Sequence, residues 1–171
     1  IYLDYINAMT YDMTDFHFTS HHTAPYSSTK GGNYTARSVK NSIDIFKAKG
    51  IPPEKIIIGA AFYSKKWSGI KGGENGLAAA TEVPVAYGPG ITALEEEYIK
   101  KNGFRRYWDE TACAPYLYNG DTFITYDDEE SIKKKCELIL EEDIGGIMVW
   151  ELGGDRKQTL LPLMRKWLGN R

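Results

Sequence analysis

The sequence predicts an α/β fold built on parallel strands and interrupted by a small α+β insertion. Three observations predict it. Residues 56–63 and 145–151 are continuous apolar runs of strand length, the pattern of strands buried on both faces. Helix-period stretches separate the strand-like runs in the order strand, helix, strand, helix, strand, helix, which implies βαβ units. A block over about 64–126 breaks that order with a Gly-rich stretch and short strand-like pieces.

The elements follow in order. Residues 1–12 are rich in β-branched and aromatic residues and read as a strand running into a polar end at Asp12. A domain rarely starts inside a buried strand, so the opening is expected to lie within a longer domain. A loop with many Ser and Thr, Pro25 and Gly31-Gly32 runs from Met13 to about Tyr34, long enough to suggest a functional loop. The spacing of Val39, Ile43 and Phe46 predicts a helix over 36–49, with Thr35 as N-cap and Gly50, Pro52 and Pro53 as the stop.

Within the insertion, residues 68–76 are Gly-rich and the chain stays irregular to Gly90. Residues 94–101 read as a short helix, acidic first and basic last. Strand-like pieces follow at 104–108, 115–118 and 122–126, with Asn119-Gly120 as a hairpin turn. A helix over 128–142 is expected next, capped by Asp127 with Glu130 completing a capping box. Its apolar stripe is Ile132, Cys136, Ile139 and Leu140, and Lys133-Lys134-Lys135 reads as a solvated face. Residues 159–168 form the last helix, with Leu160, Leu163, Met164 and Trp167 on one side. Three parallel strands suit a small open sheet or a piece of a (β/α)₈ barrel; a whole barrel takes about 250 residues.

Composition excludes some functions. The chain has 171 residues and a net charge of −2, against the basic face of a duplex-binding domain. No apolar run approaches membrane-spanning length, and the opening residues lack a signal-peptide pattern. No nucleic-acid or membrane partner is therefore expected. Two Cys cannot build a disulfide framework or a Cys-rich zinc site; Cys136 on its helical stripe reads as a buried free thiol rather than a bridge to Cys113. His17, His21 and His22 share a loop without further ligands at suitable spacing. Gly72–Gly76 lacks the Lys-Ser/Thr and the helix of a phosphate loop. No metal or cofactor is expected.

Functional groups of β/α barrels sit at the C-terminal ends of strands. Here those ends are Met9-Thr10-Tyr11-Asp12, Phe62-Tyr63-Ser64-Lys65 and Trp150-Glu151. Phenol and indole rings stack on pyranose CH faces, and Asp and Lys hydrogen-bond hydroxyls or an amide. The set suits a sugar or other small molecule. Taken singly, Tyr63, Trp150 and Met9 read equally as core residues, and Asp12 as a loop starter.

Ordered motifs add a family resemblance. Asp4-Tyr5-Ile6-Asn7-Ala8-Met9-Thr10-Tyr11-Asp12 resembles the sixth-strand motif of the chitinases of glycoside hydrolase family 18. Gly59-Ala60-Ala61-Phe62-Tyr63-Ser64-Lys65-Lys66-Trp67 resembles their seventh strand, and Gly145-Gly146-Ile147-Met148-Val149-Trp150-Glu151 their eighth. Trp108-Asp109-Glu110, Pro115-Tyr116-Leu117-Tyr118 and Tyr126-Asp127-Asp128-Glu129-Glu130-Ser131 resemble the insertion domain and the return to the barrel.

The resemblance implies the C-terminal part of a (β/α)₈ TIM barrel, residues 1–63 and 127–171, with residues 64–126 as an α+β insertion after the seventh strand. It implies retaining, substrate-assisted hydrolysis of β-1,4-linked N-acetylglucosamine polymers, in which the acetamido oxygen attacks the anomeric carbon. It makes Tyr11 and Asp12 catalytic: Tyr11 holds the acetamido carbonyl, and Asp12 bonds the same sugar. It makes Met9, Phe16, Tyr63, Lys65 and Trp150 substrate-binding; Lys65 stands where relatives often have Arg, and Phe16 or Phe18 where they often have Trp. The family's Asp-x-x-Asp-x-Asp-x-Glu acid motif occurs nowhere in these 171 residues, so the chain alone is expected to be inactive, as a fragment or as a natural short relative. The alternative is a non-catalytic chitinase-like lectin, and N-glycan cores or peptidoglycan are alternative substrates. Secretion, pairing with the missing N-terminal barrel part and self-association of the fragment are further expectations.

Overall fold

The computed structural model describes residues 2–30 and 37–169. Three short strands, β1 (Ile6–Ala8), β2 (Ile56–Ala61) and β8 (Gly146–Trp150), form a parallel sheet in the order β1-β2-β8. Helix α1 (Val39–Ala48) links β1 to β2. A second, antiparallel sheet contains β3 (Tyr63–Trp67), β4 (Ala86–Gly90), β5 (Arg105–Asp109), β6 (Ala114–Tyr118) and β7 (Phe123–Thr125), ordered β4-β3-β7-β6-β5. Helix α3 (Glu129–Glu141) returns the chain to β8, and α4 (Leu161–Leu168) follows it.

The apolar periodicities explain the packing. Val39 and Ile43 of α1, Ile56 and Ile58 of β2, and Leu138 and Ile139 of α3 form one core, so both helices cover the same face of β2. A second core joins Ala60 and Phe62 to Leu117 and Ile124 of the antiparallel sheet, to Tyr126 just after β7, and to Ile132, Cys136 and Met164. Trp67, Ile70, Leu77, Tyr116 and Phe123 fill a core between the antiparallel sheet and its own loops. Cys113 and Cys136 are both free.

Several expectations are corrected. Strand β1 is only three residues long, and Tyr2, Leu3, Tyr5 and Met9 are exposed rather than interior. Strand β8 is half-open, with Trp150 59% exposed; Ile147 and Val149 pack against the cores, and among the described residues no strand pairs its far edge. Ser38 caps α1 through its Oγ, 3.1 Å from Asn41 N; Thr35, Ala36, Tyr34 and Gly31-Gly32 lie outside the described residues. The stretch read as irregular up to Gly90 ends in β4, because β3 offers it a free edge. The short helix expected over 94–101 starts earlier, as one turn α2 (Ile91–Ala93) continued by a π-helical turn at Leu94–Tyr98.

The cap of α3 is Asp128, with Ser131 completing the capping box. Asp127 is drawn elsewhere: its Oδ2 lies 2.5 Å from Lys135 Nζ, and both residues are buried. Lys135 thus leaves the solvated run; Lys133 stays exposed and Lys134 half-buried. The pair is fully hydrogen-bonded. Lys135 Nζ donates to Thr23 Oγ1 at 2.6 Å, while Ser131 Oγ and Ala61 N donate to the Asp127 carboxylate at 2.8 and 3.2 Å. Burial pulls the Lys135 ammonium below its ordinary value, against the opposing attraction of Asp127.

A second polar clasp ties the first loop to the antiparallel sheet. Asp109 Oδ2 accepts from Ser28 Oγ at 2.6 Å and faces His21 Nε2 at 3.2 Å, and Oδ1 accepts from Thr111 N and Oγ1. Burial works to raise the Asp109 carboxyl, but the bonds from His21, Ser28 and Thr111 outweigh it and hold it well below the usual carboxylate range.

Two outcomes test these clasps. Lys135→Met strands a buried carboxylate and should lower the unfolding free energy by about 3–5 kcal/mol in urea melts of the full-length protein. Lys133→Met should change it by less than about 0.5 kcal/mol. Equal effects would contradict the buried pair. Because the folded Asp109 is the stronger acid, its stabilisation is complete above about pH 4 and is lost as the pH falls through its folded value. The thermal stabilities of the parent and Asp109→Asn should therefore differ at about pH 6 and converge toward about pH 2. A constant gap would refute this assignment.

Candidate active site

The site is built where β1 and β2 end and the chain leaves the parallel sheet for the antiparallel one. Thr10 fixes the first end to the second strand. Its Oγ1 donates to Gly59 O at 3.0 Å and accepts from Gly59 N at 2.8 Å. Tyr11 then lays its ring over Gly59: a Cβ there would stand 2.6 Å from the ring edge, so any larger residue would have to push the ring aside. Asp12 has φ of 60°, so the backbone turns between the two residues. That turn gives Tyr11 and Asp12 a common environment that a continuing strand would deny them.

Asp12 is the focus of the cluster. Its Oδ1 accepts from Tyr63 Oη at 2.5 Å and pairs with Lys65 Nζ at 3.0 Å. Tyr63 and Lys65 open β3 two residues apart, which puts both on one face. Tyr87 of β4 brings its hydroxyl to 3.5 Å from Asp12 Oδ2, and its ring centroid lies 3.4 Å from Lys65 Nζ. The rings form a chain: Tyr11 to Tyr63 at 6.0 Å, edge to face, and Tyr63 to Tyr87 at 5.6 Å.

Electrostatics set the protonation states. Burial first, then the Asp12 charge, raises the Tyr11 phenol. Burial, then the hydrogen bond to Asp12, raises Tyr63 much further. Both phenols are therefore donors across the neutral range. His22 lies beneath, fully buried, with its ring 5.3 Å from that of Tyr63. Burial, then Lys135 and Lys65, pushes it well below the ordinary imidazole value. Its Nδ1 is 3.9 Å from Asp12 Oδ1, but a neutral imidazole makes no ion pair there. The cluster thus presents two phenol donors, one carboxylate and one ammonium, groups that orient hydroxyls and amides.

The structure gathers four of the sequence-derived residues, Tyr11, Asp12, Tyr63 and Lys65, into this one cluster. Met9 and Trp150 present exposed side chains at the ends of β1 and β8. The Trp150 carbonyl accepts from Phe62 N at 2.7 Å, which ties that end to the same junction. Phe16 is exposed in the loop beyond Asp12, while Phe18 is half-buried and bridges to Ala80. Sequence reasoning missed Tyr87, which sits in a Gly- and Pro-containing run without strand periodicity. It weighed His22 only as a metal ligand; among the described residues no three His, Cys, Asp or Glu groups gather to hold a metal. A cavity of about 450 Å³ opens beside Tyr63, bordered by Gly88, Glu97, Glu151 and Arg156.

Comparison with known proteins gives the family. The family model for glycosyl hydrolases family 18 matches residues 1–155. The chain belongs to glycoside hydrolase family 18. It is 35% identical to chitinase A1 of Niallia circulans, over 92% of this chain and 25% of that protein. It superposes on a family 18 N-acetylglucosaminidase from Paenibacillus barengoltzii with a TM-score of 0.93 and 45% identity, over 98% of this chain and 49% of that one. A chitinase from Bacillus thuringiensis matches with a TM-score of 0.88 and 31% identity, over 97% of this chain and 32% of that one. The chain therefore spans about half or less of these relatives. The family's fold is a TIM barrel, and the mixed parallel and antiparallel architecture described above is a partial piece of such larger enzymes.

The Tyr11–Gly59 contact yields a direct check. Gly59→Ala should cost about 1–3 kcal/mol of stability through overpacking and displace the Tyr11 ring, seen as changed Tyr11 ring resonances in NMR spectra. Unmoved resonances would show that the ring is not seated on Gly59.

Proposed function

We propose that this chain supplies the acetamido-binding side of a family 18 glycosidase acting on β-1,4-linked N-acetylglucosamine chains. The observation that carries this reading is the convergence of Asp12, Tyr63 and Lys65 beside Tyr11 at the ends of adjacent parallel strands. In this reading β1, β2 and β8 are the sixth, seventh and eighth barrel strands, and the antiparallel sheet belongs to the insertion over 64–126.

The chemistry follows from the protonation states. The substrate's acetamido carbonyl oxygen bonds to the anomeric carbon as the glycosidic C–O bond breaks, and water later opens the resulting ring with net retention. Tyr11, protonated across the neutral range, donates to that carbonyl oxygen and holds it oriented toward the anomeric carbon. Asp12, held by Tyr63 and Lys65, bonds the same sugar. Trp150 and Met9 offer exposed apolar surface beneath it, and Phe16 stands further along the chain of sugars. The leaving oxygen takes its proton from an acid Glu outside these residues, because the family's acid motif is absent from the sequence.

The missing part of the barrel is the natural partner. A β8 edge unpaired among the described residues and an apolar groove of about 910 Å³ between β8 and α4, with Ile147, Val149, Pro162 and Met164 among its lining, support docking of further barrel elements. The same surface supports self-association when that partner is lacking. A cell-surface-expressed, multi-modular chitinase of Paenibacillus, 38% identical over 99% of this chain, supports action outside the cell. The 45% identity to a family 18 N-acetylglucosaminidase favours N-acetylglucosaminidase activity as a second reading of the same chemistry.

The 171-residue chain alone should not hydrolyse chitobiose or chitotriose reporter substrates, since general acid catalysis is worth about 10²–10⁴-fold; turnover by the purified chain would overturn this. In the full-length protein Tyr11→Phe should lower kcat by about 10²–10³ and leave KM within about threefold. A kcat within about threefold of the parent would return Tyr11 to a packing role.

A further inference from the structure

Tyr87 stands on β4, the edge strand of the antiparallel sheet, directly opposite Lys65 in the ladder. A register shift between Tyr63 and Lys65 sets this pairing, so Tyr63, Lys65 and Tyr87 share one face. The Tyr87 ring is 69% exposed, yet its face holds the Lys65 ammonium 3.4 Å from the ring centroid. Lys65 is only 7% exposed, although its charge rests on a flexible four-carbon stem without the planar fork of arginine. Three groups surround that ammonium: the Asp12 carboxylate at 3.0 Å, the Tyr87 ring, which is the nearer of the two rings, and the Tyr63 ring with its centroid 5.8 Å away. The Tyr87 hydroxyl, 3.5 Å from Asp12 Oδ2, adds only a weak contact.

We propose that Tyr87 is a positioning residue of this site: its ring face clamps the Lys65 ammonium, which in turn fixes the Asp12 carboxylate for the sugar. The role rests on the function proposed above. It makes the insertion sheet a working part of the site as well as a wall. It also accounts for how a lysine holds this position, since the ring supplies the restraint that the ammonium's geometry lacks. Because Asp12 sits on a turn rather than in a strand, its orientation depends on such side-chain partners.

The experiment is a double-mutant cycle in the full-length protein on N-acetylglucosamine oligomers. Tyr87→Leu should lower kcat about 3- to 30-fold with a smaller change in KM. Tyr87→Phe and Tyr87→Trp keep a ring and should stay within about twofold of the parent. In a Lys65→Met background Tyr87→Leu should have no further effect. The Lys65 ε-methylene protons should show an upfield ring-current shift in the parent and in Tyr87→Phe, lost in Tyr87→Leu. A Tyr87→Leu enzyme equal to an active parent overturns this role alone, as does an unaltered loss in the Lys65→Met background. A Tyr87→Phe loss as large as that of Tyr87→Leu assigns the effect to the hydroxyl and overturns the clamp. A full-length parent that fails to hydrolyse the oligomers overturns the proposed function and this role with it.

Discussion

Asp127 and Lys135 are two opposite charges buried completely, one at the end of the antiparallel sheet and one on α3. Taking each from water costs several kcal/mol, and only close pairing with saturated hydrogen bonds offsets it. That requirement fixes everything the pair touches. The carboxylate accepts Ala61 N at the end of β2 and Ser131 Oγ at the start of α3, and the ammonium reaches Thr23 in the loop after β1. Strand end, helix start and loop thus meet at one point beneath the candidate site.

The site inherits its geometry from that point. Thr23 Oγ1 lies 3.2 Å from Thr10 O, and Thr10 locks onto Gly59 through two bonds. The next two residues are Tyr11, seated on Gly59, and Asp12, turned out of the strand direction. On the other strand the chain runs from Ala61 through Phe62 into Tyr63 and Lys65, which meet Asp12 from the antiparallel sheet. Parallel and antiparallel layers therefore each contribute half of the cluster, and neither forms it alone.

Much of the fold was legible because its signals are local. The buried strand at Ile56–Ala61, the α1 stripe and the Asn119-Gly120 hairpin are signalled by near neighbours, and the structure keeps them; on α3 it keeps Ile132, Cys136 and Ile139 but exposes Leu140 and buries Leu138 in its place. What was not legible depends on distant partners. Lys135 looked solvated until Asp127, Thr23 and burial were set around it, and the same pairing moved the helix cap from Asp127 to Asp128. Strand β4 carries Gly88, Pro89 and Gly90 and exists through its pairing with β3. Four of the seven named site residues cluster as their motif order implied. Tyr87 carried no sequence signal of its own, because its meaning comes from Lys65 across the ladder.

On the function proposed above, this cluster holds the acetamido group of the substrate. A crystal structure of the full-length protein with a bound N-acetylglucosamine oligomer tests it most directly. The expected complex has an acetamido carbonyl oxygen within about 3 Å of the Tyr11 hydroxyl, with Asp12 hydrogen-bonded to the same sugar and still paired with Lys65. An oligomer bound with its acetamido groups away from Tyr11, or with Asp12 facing no sugar, would contradict it.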